Sequence, residues 1–171
     1  IMLLVIPDSA TGALFEMIAR LALQGPLYVL DGGNPFQAYP LARSLRRETA
    51  DIAGVMQRVL LARAFTCYQM EALCTGEAFA AHPILVLDFL ATFYDQGVRA
   101  AERRRLLRAC LRRLDALSRR TPVAIWVRQR AAIPEDALAF LDIVQAAAGQ
   151  VWQPVRPALP AVEKTALLPG L

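Results

Sequence analysis

Lysine is nearly missing from this chain: Lys164 is the only one, so the positive charge is carried by arginine. Genome base composition explains such a bias as readily as function does. Histidine is equally scarce, with His82 alone, which excludes a histidine-based catalytic triad and a multi-histidine metal site. The three cysteines, Cys67, Cys74 and Cys110, form no C-x-x-C pair and no Cys/His spacing suited to a metal. An odd, scattered set is expected to be small buried hydrophobes in a reducing cytoplasm. No apolar run approaches the roughly 18 residues that a membrane span requires. The opening "IMLLVIPDS" is apolar but short, follows no basic segment and runs into a turn; it reads as a buried strand rather than a signal peptide. Internal repeats and low-complexity segments are also missing.

What is present suits a folded domain. The chain has 171 residues, 56% of them hydrophobic and 20% charged, enough to bury a core. The formal net charge of +4 is by itself a weak pointer to nucleic acid. Short apolar runs at 2–6, 27–30, 59–64, 84–87, 123–127 and 151–155 alternate with helical patterns at 12–23, 40–48, 66–79, 98–119 and 134–148. Near-continuous apolar strands are what a parallel sheet covered on both faces demands. Repeated strand–helix–strand units imply right-handed crossovers in an α/β layered domain. Two units are expected: a core over residues 1–156 and a proline-rich tail over residues 157–171, packed on the core or extending from it.

The stretch "VIPDSATGALF" joins the first strand to the first helix. Its spacing is nearly that of the phosphate loop G-x-x-x-x-G-K-[ST], in which glycines let backbone N–H groups surround phosphates, lysine bridges the terminal phosphates and the hydroxyl holds Mg²⁺. Gly12 holds its place and Ser9 and Thr11 remain as donors, but Pro7, Ala13 and Leu14 occupy the first-glycine, lysine and hydroxyl positions. Each charge-assisted bond lost is worth about 1.5–3 kcal/mol, so triphosphate binding weakens by a factor on the order of hundreds or more. Asp8 further opposes an anion. Downstream, "HPILVLDFLATFYD" is an apolar strand ending in Asp88, and "PVAIWVRQR" places Gln129 at another strand end.

In this order and spacing the chain resembles the RecA/RadA-type recombinase superfamily, a P-loop ATPase core, along nearly its whole length. "LYVLDGGNPF", "RAFTCYQ", "LVLDFLATFY", "VAIWVRQ" and "PALPAVEKTALLPGL" are similar to successive segments of that family. The resemblance implies a three-layer RecA-like core with a mostly parallel central sheet and helices on both faces. It makes Asp88 the Walker B aspartate, Gln129 the glutamine that senses the γ-phosphate, and Gly12 the second loop glycine. The catalytic glutamate falls on Gly33, and Asp31 matches the aspartate that precedes that base. Loop lysine, loop hydroxyl, general base and first loop glycine are thus all replaced. The expectation is a degenerate paralogue without a functional Walker A: a pseudo-ATPase with Ser9, Thr11, Gly12, Asp88 and Gln129 as relics of the site. No cofactor or metal is expected, weak ATP or phosphate binding being left open.

The resemblance also implies two DNA-contacting loops. Here the first, "YDQGVRAAE", is short and the second shrinks to "RAAI". No counterpart of the family's N-terminal helical domain or subunit-threading linker is recognised, so strand exchange by this chain alone is not expected. The remaining candidate for DNA is the helix at 98–119. The segment 98–120 carries nine arginines against Glu102 and Asp115, with Leu107, Cys110, Leu111, Leu114 and Leu117 as its apolar stripe. Arg104, Arg108 and Arg112 lie on one face at i, i+4 steps; these, with Arg128 and Arg130 beside Gln129, are the candidate DNA contacts, the alternative being a solvated outer face. Phe89, Phe93 and Tyr94 read either as stacking residues or as packing; Trp126 and Trp152 read as core. The function expected is a non-catalytic accessory subunit in DNA recombination or repair. Its expected partner is another RecA-like or repair protein or a second copy, with DNA as a further candidate and no membrane. The alternatives are a DNA-binding protein acting through the arginine-rich helix and an ATPase completed in trans.

Overall fold

A computed structural model describes residues 1–7, 11–76, 82–130 and 132–153. Six strands, β1 (Met2–Ile6), β2 (Leu27–Asp31), β3 (Val59–Arg63), β4 (Ile84–Leu87), β5 (Val123–Arg128) and β6 (Gln150–Trp152), form one sheet in the order β3-β2-β4-β5-β1-β6. Every pairing is parallel. Helices α1 (Thr11–Gln24), α2 (Ala38–Leu45), α3 (Ile52–Gln57), α4 (Cys67–Thr75), α5 (Ala100–Ser118) and α6 (Ala139–Ala147) make the crossovers. The result is a three-layer α/β architecture of the RecA-like kind.

The two-residue period of the strands divides the core. Leu3, Val5, Ile84, Val86, Ile125 and Val127 join side chains of α4, α5 and α6 in one apolar cluster. Their neighbours Leu4, Ile6, Leu85, Leu87 and Trp126 join α1, α2 and α3 in the other. A strand buried on both faces must be apolar at successive positions, and this is why β4 reads Ile-Leu-Val-Leu with all four residues buried. The stripe expected on α5 is its buried face: Leu107, Cys110, Leu111, Leu114 and Leu117 all lie inside. Each such large side chain contributes about 1.5–3 kcal/mol by burial.

Helix ends follow local chemistry. Thr66 caps α4, its hydroxyl accepting from the Gln69 N–H at 3.2 Å, and Asp51 caps α3 by accepting from the Gly54 N–H at 2.9 Å. Helix α3 is absent from the periodicity-based reading because six residues with an internal glycine carry too little apolar pattern; the Asp51 cap is its only local signal. The helix expected over 66–79 ends at Thr75, with Gly76 as its cap; Phe79 lies outside the described residues. The helix expected over 134–148 is split into a 3-10 turn, Glu135–Ala137, and α6. Strand β6 stops at Trp152, which is 54% exposed; the edge position of β6 leaves that ring outside the core expected for it. The boundary expected at 156 and the tail at 157–171 lie outside the described residues. No helix among those described is long and apolar enough to cross a membrane.

Leu107→Ala, which empties a fully buried site, should cost about 2–5 kcal/mol. Leu60→Ala on the exposed edge strand β3 should stay within about 0.5 kcal/mol. Urea unfolding with unchanged m-values measures both.

Candidate functional site

Helices of opposite faces diverge where β2, leading to α2, lies beside β4, leading to α5. In open parallel sheets such crevices at the carboxyl ends of strands are where ligand sites form. Two aspartates meet here. Asp31 ends β2 and is fully buried. Its Oδ2 accepts from the Phe36 N–H at 3.2 Å and from Arg63 Nε at 3.1 Å. Arg63 is its register partner on β3. Its Oδ1 has no partner among the described residues. Burial outweighs these donors and pushes the Asp31 carboxyl above its ordinary value.

Asp88 follows β4 in the left-handed region, at φ 44° and ψ 50°, and its carbonyl accepts from the Ala91 N–H at 3.0 Å to open the 3-10 turn Phe89–Tyr94. Left-handed backbone is uncommon for a residue with a Cβ, aspartate being among the better tolerated. Only 1% of the residue is exposed. Arg130 Nη2 donates to its Oδ2 at 2.8 Å, and Arg128 Nε lies 3.4 Å from the same oxygen. Both guanidinium groups rest on aromatic rings, Arg128 on Trp126 at 5.6 Å and Arg130 on Tyr94 at 5.5 Å from the ring centre. Burial pushes the Tyr94 hydroxyl up to about 12, with Arg130 opposing.

The turn after β2 passes directly over this carboxylate. A Cβ on Gly33 would stand 2.2 Å from Asp88 Oδ2, and one on Gly32 would meet Met70 Cε at 2.9 Å and the Asp88 carbonyl at 3.1 Å. Gly32 N–H is bonded to the Leu87 carbonyl at 2.9 Å, which fixes the turn there. Position 33, where the resemblance would place a catalytic glutamate, therefore has no room for any side chain while Asp88 keeps this pose.

The other expected residues are distributed as follows. Ser9 lies outside the described residues. Thr11 and Gly12 are the first two residues of α1, and among the described residues nothing lies within 4 Å of a Cβ built on Gly12, so none of them requires glycine there. Ala13 is exposed and Leu14 is buried in the core between α1 and the sheet. Gln129 is exposed, and its N–H bonds the Ile6 carbonyl at 3.0 Å, setting it beside the end of β1. Mg²⁺ and a nucleotide, which the resemblance brings to mind, fit poorly: a cation at Asp88 would share its carboxylate with two guanidinium groups, and the side chains of Ala13 and Leu14 offer neither charge nor hydroxyl.

Arg128 and Arg130, expected as DNA contacts, are turned onto Asp88; a buried carboxylate holds them more firmly than solvent does. Phe89 and Phe93 are fully buried and pack edge to face with centroids 5.3 Å apart, which makes them packing residues. Sequence reasoning counted Arg103 among the nine arginines of 98–120 and gave it no place of its own. It is fully buried: Nη1 donates to the Phe93 carbonyl at 3.0 Å, Nη2 pairs with Asp136, and the guanidinium lies over Phe140. Arg103 thus ties the segment after Asp88 to the segment after Arg130. Its position between Leu107 and the start of the helix, on the inward i, i+4 row, was the available signal.

The three cysteines are buried; burial pushes the Cys67 thiol up, and contact with Cys74 together with burial does so for Cys110. Such thiols are poor nucleophiles. No group of three or more His, Cys, Asp or Glu among the described residues is placed to hold a metal ion. No protein-family model matches the chain, and no curated protein matches its sequence.

Gly33→Ala should destabilise by about 1–3 kcal/mol through overpacking against Asp88. The cost should shrink in an Asp88→Gly background, giving a coupling of about 1 kcal/mol or more in a double-mutant cycle of urea melts. Asp31 titrates at 3.8 when unperturbed and higher when folded. Its relative contribution to stability is therefore fully present below pH 3.8 and declines as pH rises through the folded value. Urea melts of the wild type and Asp31→Asn across this range should show the asparagine variant gaining on the wild type as pH increases.

Proposed function

We propose that this chain is a RecA-like pseudo-ATPase that works as a non-catalytic, cytoplasmic accessory subunit in DNA recombination or repair. The observation that carries the reading is the state of Asp88. Its carboxylate is bound by Arg130 and Arg128 and roofed by Gly33. A metal-organising aspartate needs a free oxygen facing water and a base nearby to activate it; this one has guanidinium groups on Oδ2, an Oδ1 that is unpartnered among the described residues but buried away from water, and backbone where the base would stand. The apolar Leu14 and small Ala13 in the α1 turn support the same conclusion from the other strand.

Association is the task left to such a scaffold. Strand β3 pairs only with β2 among the described residues. Leu60, Leu61, Phe65 and Tyr68, all exposed, cluster on and just after this edge. An unblunted apolar edge on a parallel sheet is a pairing surface for another chain, and this supports a protein partner, RecA-like or a second copy.

The purified chain should show no Mg²⁺-dependent ATP turnover and no micromolar Mg²⁺-dependent ATP binding by calorimetry. Asp88→Ala should lower stability, by leaving Arg128 and Arg130 without their carboxylate, rather than remove an activity. Turnover abolished by Asp88→Ala would overturn the reading. Sedimentation over a concentration series, with Leu61→Glu and Phe65→Glu as comparison, tests self-association through β3; a partner that ignores both changes would exclude this edge.

A further inference from the structure

Three of the nine arginines in the α5 segment are occupied: Arg103 by Asp136, Arg105 by Glu102 at 2.7 Å, and Arg119 by Asp115 at 3.3 Å. Arg104, Arg108 and Arg112 have no ion pair or hydrogen bond among the described residues. They follow one another at i, i+4 on the outer side of α5, about 6 Å of rise apart, so the row runs about 12 Å along the helix. Together with Ala101 and Arg105 they line a surface cleft of about 390 Å³. No carboxylate, aromatic ring or large apolar side chain lines it. The neighbouring groove between α5 and α6 shares Arg108 and Arg112 and extends over Leu111, Ile143, Ala146 and Ala147 to Asp115, the carboxylate that Arg119 covers. From α4, Glu71 faces Arg105, which Glu102 already holds.

We propose that Arg104, Arg108 and Arg112 form a docking surface for the sugar–phosphate backbone of nucleic acid. The row is of one sign and regularly spaced, with Arg108 and Arg112 exposed and Arg104 half-buried, and arginine's planar fork matches phosphate oxygens. Duplex DNA presents a phosphate on each strand about every 3.4 Å of its axis, so the row spans about three to four of them. A protein partner recognised through this cleft would want an aromatic or apolar anchor at its centre, and the cleft offers none. Backbone contact without base-reading groups binds without sequence preference. The inference is independent of the Asp88 reading: an active ATPase leaves it standing, and loss of nucleic-acid binding leaves the Asp88 centre as described.

Fluorescence anisotropy of the full chain with a labelled duplex oligonucleotide, and with its single strand, tests it. With three phosphates neutralised, duplex affinity should fall about 40-fold between about 50 and 200 mM salt. The variant Arg104→Ala/Arg108→Ala/Arg112→Ala should reduce the slope of log affinity against log salt by about 2 to 3. Arg108→Glu alone, a single exposed side chain, should weaken binding in the same direction. The control Arg43→Ala/Arg46→Ala/Arg47→Ala removes the same charge from exposed positions in and just after α2, on the opposite face of the sheet, and should leave most of the binding intact. Equal loss from both triple variants would overturn the proposal in favour of undirected charge attraction, and so would absence of binding at the lowest salt. If a polyglutamate peptide binds the α5 row as tightly as the duplex does, the face belongs to an acidic protein partner and the proposal fails.

Discussion

A carboxylate taken out of water must be paired, and the pairing of Asp88 organises this molecule. Left alone in the interior, a charge costs several kcal/mol even after relaxation. Arg130 and Arg128 neutralise it from the end of β5, and their own positions are set by rings of the fold, Tyr94 and Trp126. The pairing dictates the glycine turn after β2, because Asp88 Oδ2 fills the volume a side chain at position 33 would need. It also fixes the end of β5 relative to the turn after β4. One ion-paired group therefore joins three adjacent strand ends.

Arg103 performs a similar service one layer out. Its guanidinium is fully buried between the Phe93 carbonyl, Asp136 and the face of Phe140. It connects the segments that follow Asp88 and Arg130. Asp31 with Arg63 repeats the motif on the other side of Asp88, between β2 and β3. Three arginine–aspartate links thus cross the carboxyl edge of the sheet. Such networks hold geometry because removing either partner strands the other in low dielectric. A site built this way holds its own side chains in place, and the apolar β3 edge and the arginine row on α5 lie outside it.

Much of the fold was legible because it rests on local patterns. Apolar runs of four to six residues separated by amphipathic segments have one economical solution, a parallel sheet covered on both faces. The strands at 2–6 and 84–87 and the buried stripe of α5 match that reading residue for residue. Alanine at position 13 and glycine at position 33 were equally visible, since residue identity needs no coordinates to detect. Arginine was where sequence reasoning fell short. Arg103, Arg104, Arg128 and Arg130 are chemically identical in the string, and only their neighbours in space separate a buried strut from a free cation. Trp152 failed for a related reason: a tryptophan in a strand is core only if something covers the strand.

The sequence by itself determined the layer architecture, the lack of a lysine in the stretch between β1 and α1, and the presence of a basic helix, because each follows from residue type and spacing along the chain. Only the tertiary structure decided which arginines are free, why a side chain at position 33 would meet Asp88, and that Asp88 faces guanidinium groups. Those outcomes depend on residues dozens of positions apart meeting across strand ends, where burial and distance, rather than composition, set what a charge can do.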